Sequence, residues 1–207
     1  MRDLINRIEV LKNSEISSKI KERISDFKNI DIKSNEELFK EMCFCLLTAN
    51  FNAEKSIKIQ DEIGECFLTD SKLELSKKLK HYGHRFPNTR AEYITKSQSC
   101  INKLDKIVET HDKNFLREWI VKNIKGLGYK EASHFLRNIG FDDYAIIDFH
   151  IIDILVNHQL IKKPKYLSKN NYLEIEKLLR KIAKKTDLTL AELDLYLWYM
   201  ETGKILK

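Results

Sequence analysis

A chain of 207 residues is long enough for one large domain or two small lobes with a real core, and 43% hydrophobic with 33% charged residues excludes a disordered chain. With 37 Lys and Arg against 31 Asp and Glu, the net charge of +6 inclines the protein towards an anionic partner without requiring one. The four cysteines, Cys43, Cys45, Cys66 and Cys100, include no C-x-x-C pair, so they read as small buried hydrophobes of a reducing compartment rather than disulfides or metal ligands.

The N-terminal MRDLINRIEVLKNSE is charged and amphipathic and lacks the apolar core of a signal peptide. No apolar run approaches bilayer-spanning length, which predicts a cytoplasmic protein without a membrane partner. Helical periodicity predicts helices near 3–12 and 15–28, and a third over about 35–49. In that third helix Leu38, Met42 and Leu46, flanked by Phe39, Cys43 and Leu47, form a continuous stripe behind a Ser34-x-x-Glu37 capping box. Further helices are predicted near 53–66, 72–80, 89–109, 113–123, 130–139, 149–159, 171–185 and 190–201, the last led by Thr189-x-x-Glu192. Pro87 and Pro164 fall between helical segments, and no stretch alternates with period two for long enough to make a strand. The lysine-rich stretch 162–185 reads as a solvated helix face after a loop.

Chemistry concentrates at 126–150. Apolar Phe115, Leu116, Trp119, Ile120 and Ile124 lead into Gly126-Leu127-Gly128, and a second stripe of Ala132, Phe135, Leu136 and Ile139 follows, which together make a helix-hairpin-helix with Leu127 buried in the turn. Glycines there let the backbone turn tightly and expose amides at a helix N-terminus, where a phosphate can sit. On Gly-x-Gly alone an ordinary helical corner is the better reading. Lys130 lies in the first turn of the second helix, where the positive end of the helix dipole favours the neutral amine, a nucleophile able to form a Schiff base with a sugar C1′. Asp148 precedes a helix with Ile151, Ile152, Leu155 and Val156 on one face, so it is an N-cap that can also hold negative charge towards a reacting sugar. His150, two residues on, is within reach of a phosphate oxygen.

The Gly-h-Gly hairpin, the lysine two residues later and the Asp eighteen beyond that in an I-I-D-x-H context resemble the helix-hairpin-helix DNA glycosylases. The segments 43-CFCLLTANF-51, 84-HRF-86, 130-KEASHFLRNIG-140 and 193-LDLYLWYMETGKILK-207 resemble the archaeal class of 8-oxoguanine DNA glycosylase/AP lyase along essentially the whole chain. The resemblance implies Lys130 as nucleophile, Asp148 as the carboxylate that stabilises the developing oxocarbenium, and an imine that permits β-elimination of the 3′ phosphate. It further implies Asn50 as an amide inserted into the vacated base stack, and Arg85 with Phe86 as a loop probing the opposite strand. Trp198 and the terminal Lys207 are implied to receive the extruded base. As a core aromatic Trp198 fits its neighbours equally well; Arg85 also fits a phosphate contact and Phe86 a core plug. Family members often carry a basic residue between the Asp and the His, where this chain has Phe149, which puts one DNA contact in doubt.

The expected fold is all-α, two helical lobes with a central cleft. Residues 30–143 would form a barrel lobe ending in the hairpin, and 1–29 with 144–207 the second lobe. The expected partner is duplex DNA containing 8-oxoguanine, met by a monomer. No cofactor is implied; the hairpin carbonyls leave room for a structural monovalent cation. No cysteine follows Cys100, so the iron–sulfur cluster of the related endonuclease III enzymes has no ligands here. Two alternatives remain: a non-catalytic hairpin module that binds the DNA backbone, and the same chemistry on another oxidised base.

Overall fold

The computed structural model describes residues 1–109 and 112–207, and among them every regular element is a helix. In chain order these are α1 (Arg2–Lys12), α2 (Ile16–Lys28), α3 (Asn35–Thr48), α4 (Ala53–Ile63), α5 (Cys66–Thr69), α6 (Lys72–His81) and α7 (Pro87–Ser97). After a 3-10 segment (Gln98–Lys103) come α8 (Leu104–Val108), α9 (Lys113–Asn123), α10 (Tyr129–Asn138), α11 (Phe149–Asn157), α12 (Lys169–Lys185) and α13 (Leu190–Thr202). The chain divides into two compact units, Ile30–Phe135 and Met1–Asn29 with Leu136–Lys207. The division falls inside α10, earlier in the chain than the 143/144 boundary expected from sequence.

In the unit Ile30–Phe135, α3 is the core. Leu38, Phe39, Met42, Cys43, Phe44 and Leu46 on it are fully buried, and α4, α5, α7 and α8 pack against it. From Met42 to Leu47 every residue of α3 is apolar, and such a stretch has to be surrounded; each large side chain so buried contributes roughly 1.5–3 kcal/mol. The Ser34 hydroxyl caps α3 by accepting the Glu37 N–H at 3.3 Å. The reciprocal half of the expected capping box does not form, because the Ser34 N–H donates to the Asp31 carbonyl at 3.0 Å and Glu37 pairs with Lys40 instead.

The helix expected over 89–109 is three pieces. Ser97 donates back to the Tyr93 carbonyl at 2.9 Å, which competes with the helix ladder, while the Gln98 amide is drawn to the carbonyls of Phe67 and Asp70 at 2.9 and 3.1 Å. The helix expected over 53–66 likewise ends at Ile63, and the short α5 follows. Pro87 is the first residue of α7 rather than a linker residue, a position where its missing N–H costs nothing.

The turn from α9 into α10 depends on Gly126. Its φ of +100° is left-handed, and a β-carbon there would lie 2.3 Å from Tyr93 Cδ2 and 3.0 Å from Leu46 Cδ2. Leu127 is buried beneath the turn, as the sequence predicts.

In the other unit, α13 is the scaffold, with α1, α2, α11 and α12 against it. Its capping box is complete: Thr189 N–H donates to Glu192 Oε2 at 2.8 Å and Glu192 N–H to Thr189 Oγ1 at 3.1 Å. Gly203, at φ +69°, closes the helix in the left-handed conformation, and Ile205 beyond it packs on the Ile16, Ile20, Phe27, Leu195 and Tyr196 cluster. The end of the chain is therefore held down by apolar burial.

Two stability measurements follow from these contacts. Gly126→Ala is expected to lose about 2 kcal/mol or more in denaturant unfolding, through backbone strain and the Tyr93 collision. Thr189→Ala is expected to lose about 1 kcal/mol, the ordinary cost of an N-cap.

Candidate active site and nucleic-acid interface

Six of the residues singled out from sequence, Lys130, Gly126, Gly128, Asn50, Arg85 and Phe86, belong to the unit Ile30–Phe135. Lys130 is the second residue of α10, its side chain 23% exposed, with Nζ 3.5 Å from Glu131 Oε1. The other Glu131 oxygen accepts the Gly128 N–H at 3.3 Å. Gly128 has no side chain with which to cap α10, so Glu131, three residues on, reaches back and supplies half a capping box. One carboxylate thus orders the turn and faces the lysine. Sequence reasoning passed over Glu131; the signal was the G-x-x-E spacing into an apolar stripe.

Asn50 follows the end of α3, exposed and with φ +56°, a left-handed conformation that Asn tolerates better than most residues. Arg85 is exposed, its guanidinium 5.0 Å over the ring of half-buried Phe86. Two buried polar side chains tie these loops together. His84 Nδ1 accepts the Phe86 N–H at 3.0 Å, so the ring hydrogen sits on Nε2, which donates to the Leu47 carbonyl at 3.1 Å. Burial pushes the His84 imidazole below its ordinary range and the positive charge of Arg90 acts in the same direction, against the Leu47 carbonyl, which favours the charged form. Arg90 donates to the Ala49 carbonyl, next to Asn50, and lies 5.7 Å over the Phe86 ring. His84 stood in a quoted motif and Arg90 in none; a buried role for either is not visible without the fold.

The remaining candidates, Asp148, His150, Trp198 and Lys207, lie in the other unit. Asp148 is the N-cap of α11: extended backbone, Oδ1 accepting the Ile151 N–H at 3.0 Å, and partial burial. His150 packs between two aromatics. The exposed Phe149 ring lies at 3.9 Å on one side, and Trp198 meets it edge-on at 5.0 Å on the other, with Glu201 Oε1 3.8 Å from His150 Nδ1. Trp198 is half-buried, and its buried Nε1 hydrogen has no partner among the described residues. Lys207, past the anchored Ile205, is half-buried.

Among the described residues no group of His, Cys, Asp or Glu side chains is arranged to hold a metal ion, and no helix is long and apolar enough to cross a membrane.

Comparison with known proteins gives this geometry a family. The family model described as 8-oxoguanine DNA glycosylase, of helix-hairpin-helix type, matches residues 20–188. A curated relative from Methanocaldococcus jannaschii, named 8-oxoguanine DNA glycosylase/AP lyase, is 55% identical over 99% of both chains, and one of the same name from Korarchaeum cryptofilum is 50% identical over 99% of this chain and 98% of its own. The crystal structure of the M. jannaschii 8-oxoguanine glycosylase/lyase in complex with a 15mer DNA containing 8-oxoguanine superposes with a TM-score of 0.96 over 99% of each chain. The 8-oxoguanine DNA glycosylase of Thermotoga maritima gives 0.94 at 40% identity, covering 100% of this chain and 99% of its own. With agreement of this extent in sequence and fold, the chain belongs to the 8-oxoguanine DNA glycosylase family of helix-hairpin-helix proteins.

Proposed function

We propose that this chain excises 8-oxoguanine from duplex DNA and then cleaves the abasic strand, with Lys130 as nucleophile and Asp148 as its carboxylate partner. The observation that carries the reading is the full-length likeness to a glycosylase/lyase crystallised on lesion-containing DNA. Lys130 supports it from the first turn of the hairpin helix, and Asp148 from the cap of α11.

The steps follow from these groups. The amine lone pair of Lys130 attacks C1′ as the bond from C1′ to the base nitrogen breaks, and the base leaves with that electron pair and is protonated. The Asp148 carboxylate stabilises positive charge as it develops on the sugar and assists proton transfer. Opening of the sugar gives an imine between Nζ and C1′. Loss of a C2′ proton then expels the 3′ phosphate and leaves a C2′–C3′ double bond; water releases the enzyme. An amine and a carboxylate suffice for this sequence, so it calls for no cofactor, membrane or second copy of the chain.

The nucleotide has to leave the stack before C1′ can be reached. Amides of the Gly126–Gly128 turn hold the backbone phosphates, Asn50 fills the gap in the stack, Arg85 and Phe86 probe the opposite strand, and His150 holds a phosphate oxygen. Trp198 and Lys207 receive the base.

Lys130→Gln is expected to lower single-turnover release of 8-oxoguanine from duplex DNA by at least about a thousandfold, the scale of losing a nucleophile. Asp148→Asn separates two roles at one position. Asparagine caps a helix as well as aspartate, so the melting temperature should hold while excision falls by about a hundredfold or more. A wild-type protein that binds the lesion duplex but releases no base and leaves no nick would leave a non-catalytic DNA-binding module in place of this reading.

A further inference from the structure

The loop after α3 that carries Asn50 and the loop before α7 that carries Arg85 and Phe86 are joined through His84 and Arg90, groups that the reaction itself does not use. We propose that His84 and Arg90 are positioning residues that lock these two loops into one preformed wedge, so that Asn50, Arg85 and Phe86 enter the duplex together. The proposal rests on the DNA-repair reading above and assigns two buried residues of the same unit a part in it.

Four observations carry it. The His84 ring bridges the loops at both ends, accepting the Phe86 N–H at 3.0 Å and donating to the Leu47 carbonyl in the last turn of α3 at 3.1 Å. Its face lies 4.2 Å from the Phe51 ring, immediately after Asn50. Arg90 crosses from α7 to the Ala49 carbonyl, so the residue before Asn50 is fixed from the same side, and its guanidinium also covers the Phe86 ring. Asn50 itself holds a left-handed backbone at φ +56°, so the turn that the two bridges flank has a defined conformation. Both bridging side chains are buried, 4% exposed for His84 and 7% for Arg90, although they stand beneath exposed residues that have no core to fill. A preformed wedge meets DNA without first losing the entropy of two mobile loops.

The bridge works only with a neutral imidazole, since a protonated Nδ1 cannot accept from Phe86. The charged group facing the ring is Arg90, which opposes protonation, as burial does. The folded protein therefore binds this proton less readily than the unfolded chain. The bridge holds while the folded imidazole is neutral, so it persists below the ordinary histidine pKa, about 6.5; its contribution to stability declines below that value and the bridge itself opens as pH falls through the lowered folded value.

The test compares wild type with His84→Asn, which can keep the Phe86 bond, and His84→Gln, which can keep the Leu47 bond; each cuts the bridge at one end. Two substrates are used: an 8-oxoguanine duplex with 2-aminopurine beside the lesion, and a single-stranded oligonucleotide with a ready-made abasic site, which needs no wedge. Both variants are expected to excise from the duplex about tenfold more slowly, the scale of one buried hydrogen bond, and to show a reduced 2-aminopurine rise. Borohydride trapping on the single strand should match wild type. Lowering the pH from about 7.5 to well below the ordinary histidine pKa of about 6.5, through the lowered folded value, should reduce the ratio of duplex to single-strand rates in wild type and leave it flat in both variants. Duplex excision at the wild-type rate in both variants overturns the proposal, as does an equal loss on both substrates, which would mean a general structural role. If wild type traps nothing on the abasic strand, the failure belongs to the glycosylase/lyase reading itself.

Discussion

The hairpin exists because no β-carbon stands at Gly126. With a side chain there, the Tyr93 and Leu46 side chains would have to shift away from the turn and the left-handed backbone would be strained. Everything chemical in that unit is measured from this point. The turn buries Leu127, leaves Gly128 without a capping side chain, and so recruits Glu131 to the Gly128 amide, where the same carboxylate also meets Lys130. A single close packing contact thereby sets the place of the amine and of the amides that can face a phosphate.

In the second unit the proposed carboxylate, Asp148, is also a structural residue of the fold. Asp148 is a sound N-cap on its own terms, and nothing in its geometry would surprise an observer who knew only helices. Its carboxylate is nonetheless held at a fixed place and partly out of water, which is what a charge-stabilising group needs. The ladder of Phe149, His150 and Trp198 runs from that cap to α13, whose complete capping box and anchored tail make it the firm element of the unit.

Most of the helices were legible because their apolar stripes and caps are local signals: Thr189 with Glu192 behaves as its spacing predicts, and α3 spans nearly the expected residues. The misreadings share a cause. The 89–109 segment has helical periodicity, yet it breaks where Gln98 is drawn to the carbonyls of Phe67 and Asp70, residues distant in sequence. Ser34 and Glu37 have capping-box spacing, yet the Asp31 carbonyl competes for the Ser34 amide. The site shows the same division. Lys130 and Asp148 could be singled out because each sits at a helix start, at a spacing that resembles the glycosylase motif. Glu131 carries a local signal, the G-x-x-E spacing, that sequence reasoning passed over, whereas His84 and Arg90 bond backbone carbonyls across 37 and 41 positions of chain, and no residue pattern announces such a bond.

The central claim is that a covalent bond forms between DNA and one particular amine. The direct measurement is to reduce the reaction of the wild-type protein on an 8-oxoguanine duplex with borohydride, digest the cross-linked species, and locate the sugar remnant by mass spectrometry. The expected result is a single modified peptide carrying the remnant on Lys130. A remnant on another lysine or on the N-terminal amine would contradict the assignment of the nucleophile, and the absence of any cross-linked peptide would contradict the imine mechanism.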